Sequence, residues 1–200
     1  MGKLIVDKKN KAQTVRSSTP IVVDQLSKVE QRWFAVYTKY KCEKYVAQQL
    51  LKKKVESYLP IITKTKRYTR KIKHYEVPLI NCYVFVNITR DQYISVVETE
   101  YVMKFLRSGK DLLAIPQDEI DILKRVVGDV EEVRMIEKIH FDQGEEVEVT
   151  SGQLTGMKGK VISQEGKRTF VIALETMGYE LMIKIDHNLL RPLNNKYLIA

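Results

Sequence analysis

Pro78-Leu79-Ile80-Asn81-Cys82-Tyr83-Val84-Phe85-Val86-Asn87 is a ten-residue β-branched and aromatic run with one polar break. Tyr83 to Val86 are four consecutive strand formers, and the run is far shorter than the roughly 20 residues a membrane-spanning helix needs. It therefore reads as a central strand covered on both faces. The rest of the chain must supply that cover. A basic, tyrosine-containing segment precedes the run, an amphipathic helix follows it, and a β-rich module ends the chain.

Upstream, Trp33-Phe34-Ala35-Val36-Tyr37 reads as a first strand ending at Thr38. Tyr45, Val46, Leu50 and Leu51 then recur at helical spacing, and Val55 to Leu59 reopens a β-type run before Pro60. Strand, helix and strand within about thirty residues predict a crossover, with the two strands parallel or flanking a third. Thr63 to Lys73 alternates basic residues with Thr and Tyr, which suits an exposed, extended hairpin with too little apolar area to pack a helix. Such an arm stays mobile until something anionic orders it.

Downstream, Thr89 caps a predicted helix with Tyr93, Val96 and Val97 on one face, and Tyr101 to Leu106 reads as a further strand. Ile115-Pro116-Gln117-Asp118-Glu119 starts another helix, with acids in its first turn and Ile120, Leu123 and Val127 along one side. Residues 32–127 thus read β-α-β-β-α-β-α, an α+β ferredoxin-like domain with an added helix. Residues 1–31 lack a sustained period and are expected to be a flexible tail. Residues 128–140 turn acidic and are expected to link the first domain to a second at 141–195. There, short strands with Gly turns predict a small five-stranded barrel. Gly152, Gly156 and Gly159 would supply the positive φ of tight turns, leaving Leu154 exposed at a tip.

Composition narrows the function. The net charge is +9, and residues 39–73 hold twelve Lys or Arg against only Glu43 and Glu56, so one segment carries the whole excess. A localised surplus of this kind suits a surface that faces a polyanion. Cys42 and Cys82 lie forty residues apart with no metal-type spacing, which predicts reduced thiols, no metal site and no disulfide framework. His74, His140 and His187 lie apart from one another and from the clustered acids, and no nucleophile elbow or phosphate loop occurs, so no catalytic site or cofactor is expected. The N-terminus lacks the pattern of a secretion signal and no apolar run spans a membrane, so the expected location is the cytoplasm.

Trp33 to Thr38, Glu43-Lys44, the Pro78-to-Asn87 strand and the run from Gly144 to Val161 together resemble the NusG family of transcription elongation factors. Residues 32–127 look like its NGN domain and the final module like its KOW domain. The resemblance implies a non-enzymatic protein whose NGN domain docks an apolar hollow on the clamp helices of RNA polymerase. Carried over to this chain, the hollow is lined by Tyr37, Ile80, Tyr83, Phe85 and Phe105. It further implies an approach to the polymerase gate loop and, through Leu154, a KOW contact with a ribosomal protein or Rho. Asn81-Cys82 stands where housekeeping members read Pro-Gly, and with the long basic tail this looks more like the specialised RfaH and UpxY paralogues, antiterminators on selected operons such as those for surface polysaccharides. The His-Thr-Thr-Thr element of RfaH has no counterpart in Asp91 to Val97.

In such paralogues the edge matching Lys39, Lys41 and Lys44 faces the displaced non-template strand, and interleaved Tyr40 and Tyr45 are available to stack on unpaired bases. On the arm, Lys66, Arg67, Arg70 and Lys71 are the candidate contacts to DNA or nascent RNA. A general NusG-like factor and a ribosome-associated RNA binder remain the alternatives. Val147, Val149, Val161, Ile162, Phe170, Val171 and Ile172 favour strand strongly and predict a β rather than a helical C-terminal module.

Overall fold

The computed structural model describes residues 25–129, 133–137, 144–164 and 167–193. The first domain runs β1 (Arg32–Thr38), α1 (Glu43–Lys52), β2 (Glu56–Tyr58), β3 (Ile61–Tyr68), β4 (Lys71–Pro78), β5 (Tyr83–Ile88), α2 (Tyr93–Val97), β6 (Val102–Phe105), β7 (Arg107–Ser108), β8 (Asp111–Leu112), β9 (Ala114–Ile115) and α3 (Gln117–Asp129). Its sheet has the order β2-β5-β1-β6, with β9 also pairing β1. The Pro78-to-Asn87 stretch supplies β5, which lies inside the sheet between β1 and β2, antiparallel to both. Because β1 and β2 each oppose β5, they are parallel to one another and need a crossover, which α1 supplies. β3 and β4 form a separate two-stranded hairpin, and β7 and β8 a second short ribbon. This is the expected ferredoxin-like split, with an arm inserted between β2 and β5.

Alternation along β1 and β5 divides the core into two layers. Phe34, Val36, Val84, Val86 and Ile88 pack with Val46 and Leu50 of α1 and Val96 of α2. Trp33, Ala35 and Phe85 face the other way, toward Ile120, Leu123 and Val126 of α3.

Two local devices fix α1. At its start the buried Glu43 carboxylate accepts the Cys82 backbone N–H at 2.7 Å, tying the helix to the turn before β5. At its end, Val55 N donates to the Leu50 carbonyl at 3.0 Å and Lys54 N to the Leu51 carbonyl at 2.9 Å, with Lys54 at φ 57°. That is the paired-bond stop of a left-handed C-cap, and the residues on either side of it, Leu50 and Val55, are buried in one cluster.

The domain begins earlier than the sequence suggests. Leu26 is buried in the α1–α2 layer, and Gln25 accepts the Ala114 N–H through its side chain at 2.8 Å. The end of the expected tail is therefore part of the core, because a single well-placed leucine is too little to register as periodicity. Residues 1–24 of that tail lie outside the described residues.

The C-terminal domain comprises β10 (Val133–Glu137), β11 (Glu145–Val149), β12 (Lys158–Gln164), β13 (Lys167–Leu174), β14 (Tyr179–Ile183) and β15 (Leu190–Pro192) in one antiparallel sheet of order β10-β14-β13-β12-β11-β15. Among the described residues it has six strands where five were expected. The extra strand, β10, lies within the expected acidic linker and pairs with β14 from Val133↔Ile183 to Glu137↔Tyr179. Val133, Met135 and Ile136 are the apolar residues that the surrounding acids obscure. Gly152 and Gly156 have φ of 83° and 80° as expected. Gly159 differs: a Cβ there would strike the Val171 carbonyl oxygen and the Phe170 ring, so it is needed for close approach of β12 and β13.

Candidate partner-binding face

The α3-side layer ends in an open aromatic edge. β1 and β5 place Tyr37 opposite Tyr83 and Ala35 opposite Phe85, so these four side chains share one face. Tyr37 and Tyr83 meet edge to face with centroids 5.4 Å apart, and Tyr58 on β2 lies 6.3 Å from Phe85. Tyr37 is 37% exposed, whereas Phe85 and Ile80 are buried in the continuous core beneath. Burial pushes Tyr58 up to about 12, and burial followed by the nearby Tyr179 does the same for Tyr83. Tyr37 is raised as well, chiefly by the neighbouring Cys82 thiol. All three phenols are neutral near pH 7 and present apolar rings with a polar tip.

Of the five residues expected in the hollow, Phe105 stands apart. β6 pairs it with Val36, so it points into the opposite layer, edge-on to Phe34 at 6.2 Å and stacked on Tyr93 at 5.0 Å. The β6 residue on the aromatic face is Lys104, opposite Tyr37, with its ammonium 5.8 Å from that ring. Only the register of β6, with its irregularity between Tyr37 and Thr38, distinguishes the two.

The C-terminal domain covers the rest of this face. Leu154, expected at an exposed tip, is 6% exposed and joins the cluster that holds Trp33, Phe85 and α3. Arg125 of α3 grips the loop that carries it. Its Nε and Nη2 donate to the Gln153 carbonyl at 2.9 and 2.6 Å, and Nη2 also to the Thr155 carbonyl at 2.7 Å. Glu119 accepts the Thr176 N–H at 2.9 Å, and Tyr179 lies edge-on to Tyr83 at 6.4 Å. The aromatic face and the Leu154 loop are thus mutual partners in this arrangement. Arg125, Glu119 and Tyr179 carry no motif and follow only from the packing.

A second cluster lies beside the aromatic edge, at the β1–α1 turn. Lys39 N donates to the Tyr101 carbonyl at 3.0 Å, its ammonium is 5.6 Å from the Tyr101 ring, and Lys41 is 5.2 Å from the Tyr40 ring. Tyr45 meets Tyr101 edge to face at 5.3 Å and donates to Glu100 at 2.7 Å. Hydroxyls of Tyr45 and then Tyr101 hold the Glu100 carboxyl below its usual range. Lys39, Tyr40 and Lys41 are therefore together and exposed. Lys44 is engaged elsewhere: its ammonium bonds Glu76 on β4 at 2.8 Å and lowers that carboxyl. Lys66, Arg67, Arg70 and Lys71 all lie exposed on or at the tip of the hairpin. Among the described residues no group of three His, Cys, Asp or Glu is placed to hold a metal ion, and no helix is long and apolar enough to cross a membrane.

Residues 31–124 match a family model described as NusG, transcription termination factor nusG. No curated protein sequence matches the chain. Among solved structures, one titled "Domain interaction in Thermotoga maritima NusG" is similar over 82% of this chain and 98% of that one, at 19% identity and a TM-score of 0.53. The MjSpt4:Spt5 complex in conformation A is matched over 81% of this chain and 98% of that one at 16% identity, with a TM-score of 0.29 that bears no weight.

Proposed function

From the match of residues 31–124 to the NusG family model we propose that the chain is a non-enzymatic transcription factor of that family and that it rides on transcribing RNA polymerase through its aromatic face. The observation that carries this reading is the Tyr37–Tyr83 pair at the edge of an otherwise closed apolar layer, with Tyr37 exposed and Tyr83 half-buried against Tyr179. Ile80 and Phe85 form the floor beneath it. An amphipathic helical element of the polymerase would lay its apolar side against these rings, a contact mode in which aromatic anchors supply most of the binding energy. Lys39, Tyr40 and Lys41 sit beside that edge, where phosphate pairing and base stacking would steady the displaced strand. Leu154 is the corresponding contact of the C-terminal domain, available to a ribosomal protein or Rho once that domain leaves the aromatic face.

The finer role we propose is processive antitermination on selected operons. It is supported by Asn81-Cys82 at the turn before β5 and by the long basic N-terminal tail, both unlike the pattern of housekeeping members. A general elongation role is the second reading, favoured by the two-domain likeness to the Thermotoga maritima protein.

Capture of RNA polymerase by the tagged chain tests the main claim. Tyr37→Ala combined with Tyr83→Ala should reduce capture at least about tenfold, as expected for loss of aromatic anchors. Undiminished capture would remove the aromatic face from the model. Genome-wide occupancy separates the finer readings, with a few leader regions favouring the specialised role and uniform occupancy the general one.

A further inference from the structure

We propose that one face of the β3–β4 hairpin is a rail for an extended, unpaired nucleic-acid strand. This deepens the nucleic-acid part of the preceding reading and is independent of its polymerase part. The hairpin register decides which side chains stand together. Lys64 pairs with Tyr75, Lys66 with Lys73 and Tyr68 with Lys71, and directly opposed residues of antiparallel strands share a face. That face holds four lysines and two tyrosines with no acid among them. The opposite face pairs Thr63 with Glu76, Thr65 with His74 and Arg67 with Ile72. Its acid is bonded to Lys44, and Thr65 and His74 bond one another at 2.9 Å. Four of the six Lys and Arg of the arm therefore stand on one side, with Arg67 on the other and Arg70 in the turn.

Two features make that side a binding surface rather than a solvated one. Lys66 directly opposes Lys73, an arrangement that destabilises an isolated hairpin and is relieved by an external polyanion. Among the described residues none of the four lysines is in an ion pair. The second feature is aromatic. Tyr68 and Tyr75 are 46% and 38% exposed, which a face built only for solubility does not need. Lys66 and Lys71 lie 5.1 and 5.9 Å from the Tyr68 ring, placing charge and ring together. Along β3, Lys64, Lys66 and Tyr68 succeed one another about every 6.7 Å, two strand residues apart. Such a row lets ammonium groups follow a backbone while rings stack on bases. A duplex hides its base faces and would leave both rings idle, so the occupant is a single strand.

The test uses the full chain without polymerase and fluorescently labelled single-stranded oligonucleotides of mixed sequence, as DNA and as RNA, titrated at several salt concentrations beside the matching duplex. The wild type should bind single strands more tightly than duplex. Gln at Lys64, Lys66, Lys71 and Lys73 should weaken single-strand binding at least about tenfold and lower the log–log salt slope by about 2–3, as loss of four phosphate contacts requires. Arg at the same four positions should retain the slope, separating charge from folding. Tyr68→Ala with Tyr75→Ala should cost roughly tenfold toward single strands and nothing toward duplex. Thr65→Ala with His74→Gln, on the other face, should leave the slope unchanged. Equal losses from the two faces, or duplex binding as tight as single-strand binding, would overturn the proposal. Either result would leave the polymerase reading standing.

Discussion

At the scale of single residues, the most informative feature is a set of left-handed backbones without glycine. Lys41, Lys54, Cys82 and Tyr101 have φ of 64°, 57°, 63° and 68°, a conformation that strains residues bearing a Cβ. Lys54 is the cleanest case, because it is exposed and its side chain makes no hydrogen bond or ion pair among the described residues while its backbone closes α1. Lys54→Gly should therefore stabilise the first domain by about 1 kcal/mol, read as an increase in the denaturation midpoint with an unchanged m-value. A loss of stability would mean that the lysine stem contributes more packing than its exposure suggests. The same four positions explain why these turns were hard to read. Turn signals rest on Gly and Pro, and here Tyr, Cys and Lys occupy the left-handed positions. Cys82 is instead held by its surroundings: Glu43 accepts its N–H, and its carbonyl accepts the Thr38 N–H at 2.8 Å.

At the scale of elements, the legible parts were those with strong periodicity. β1, β5, α1, α3 and the exposed hairpin fall where alternation and helical spacing put them. What pattern reading missed were features set by pairing. β10 is three apolar residues among charges, and it becomes a strand because the exposed edge of β14 pairs with it. Phe105 lies in the other core layer because β6 pairs Val36 with it rather than with Lys104. Gly159 belongs to the same class. The sequence offered it as a turn glycine, whereas its need is the absence of a side chain where β12 crosses Phe170 and Val171. Gly159→Ala should destabilise the C-terminal domain by about 1–3 kcal/mol through overpacking, visible as a lowered thermal midpoint. Gly152→Ala tests a different cost, since a Cβ there meets nothing and only its positive φ opposes the change.

At the scale of the whole molecule, the two proposed contact surfaces occupy each other. The apolar cluster runs without a break from Trp33 and Phe85 through α3 to Leu154 and Phe170, while the polar grip rests on Arg125 and Glu119. No reading of either domain alone could show this, because each surface looks like a free partner site in its own sequence. The consequence for binding follows from populations. If polymerase engages the aromatic face only after the C-terminal domain leaves it, the apparent affinity is the intrinsic affinity scaled by the open fraction. Arg125 makes three hydrogen bonds to carbonyls across the junction, and losing them costs the closed form about 1–2 kcal/mol net. Arg125→Ala should thus raise the open-to-closed ratio roughly 5–30-fold, increasing the radius of gyration in solution scattering and strengthening polymerase capture. Tyr37 and Tyr83 are untouched by this substitution, so a gain in capture that disappears when both are also changed to Ala would tie the opening to the aromatic face itself. An unchanged radius of gyration together with unchanged capture would mean that the apolar cluster alone holds the domains together, and that the arginine merely decorates its rim.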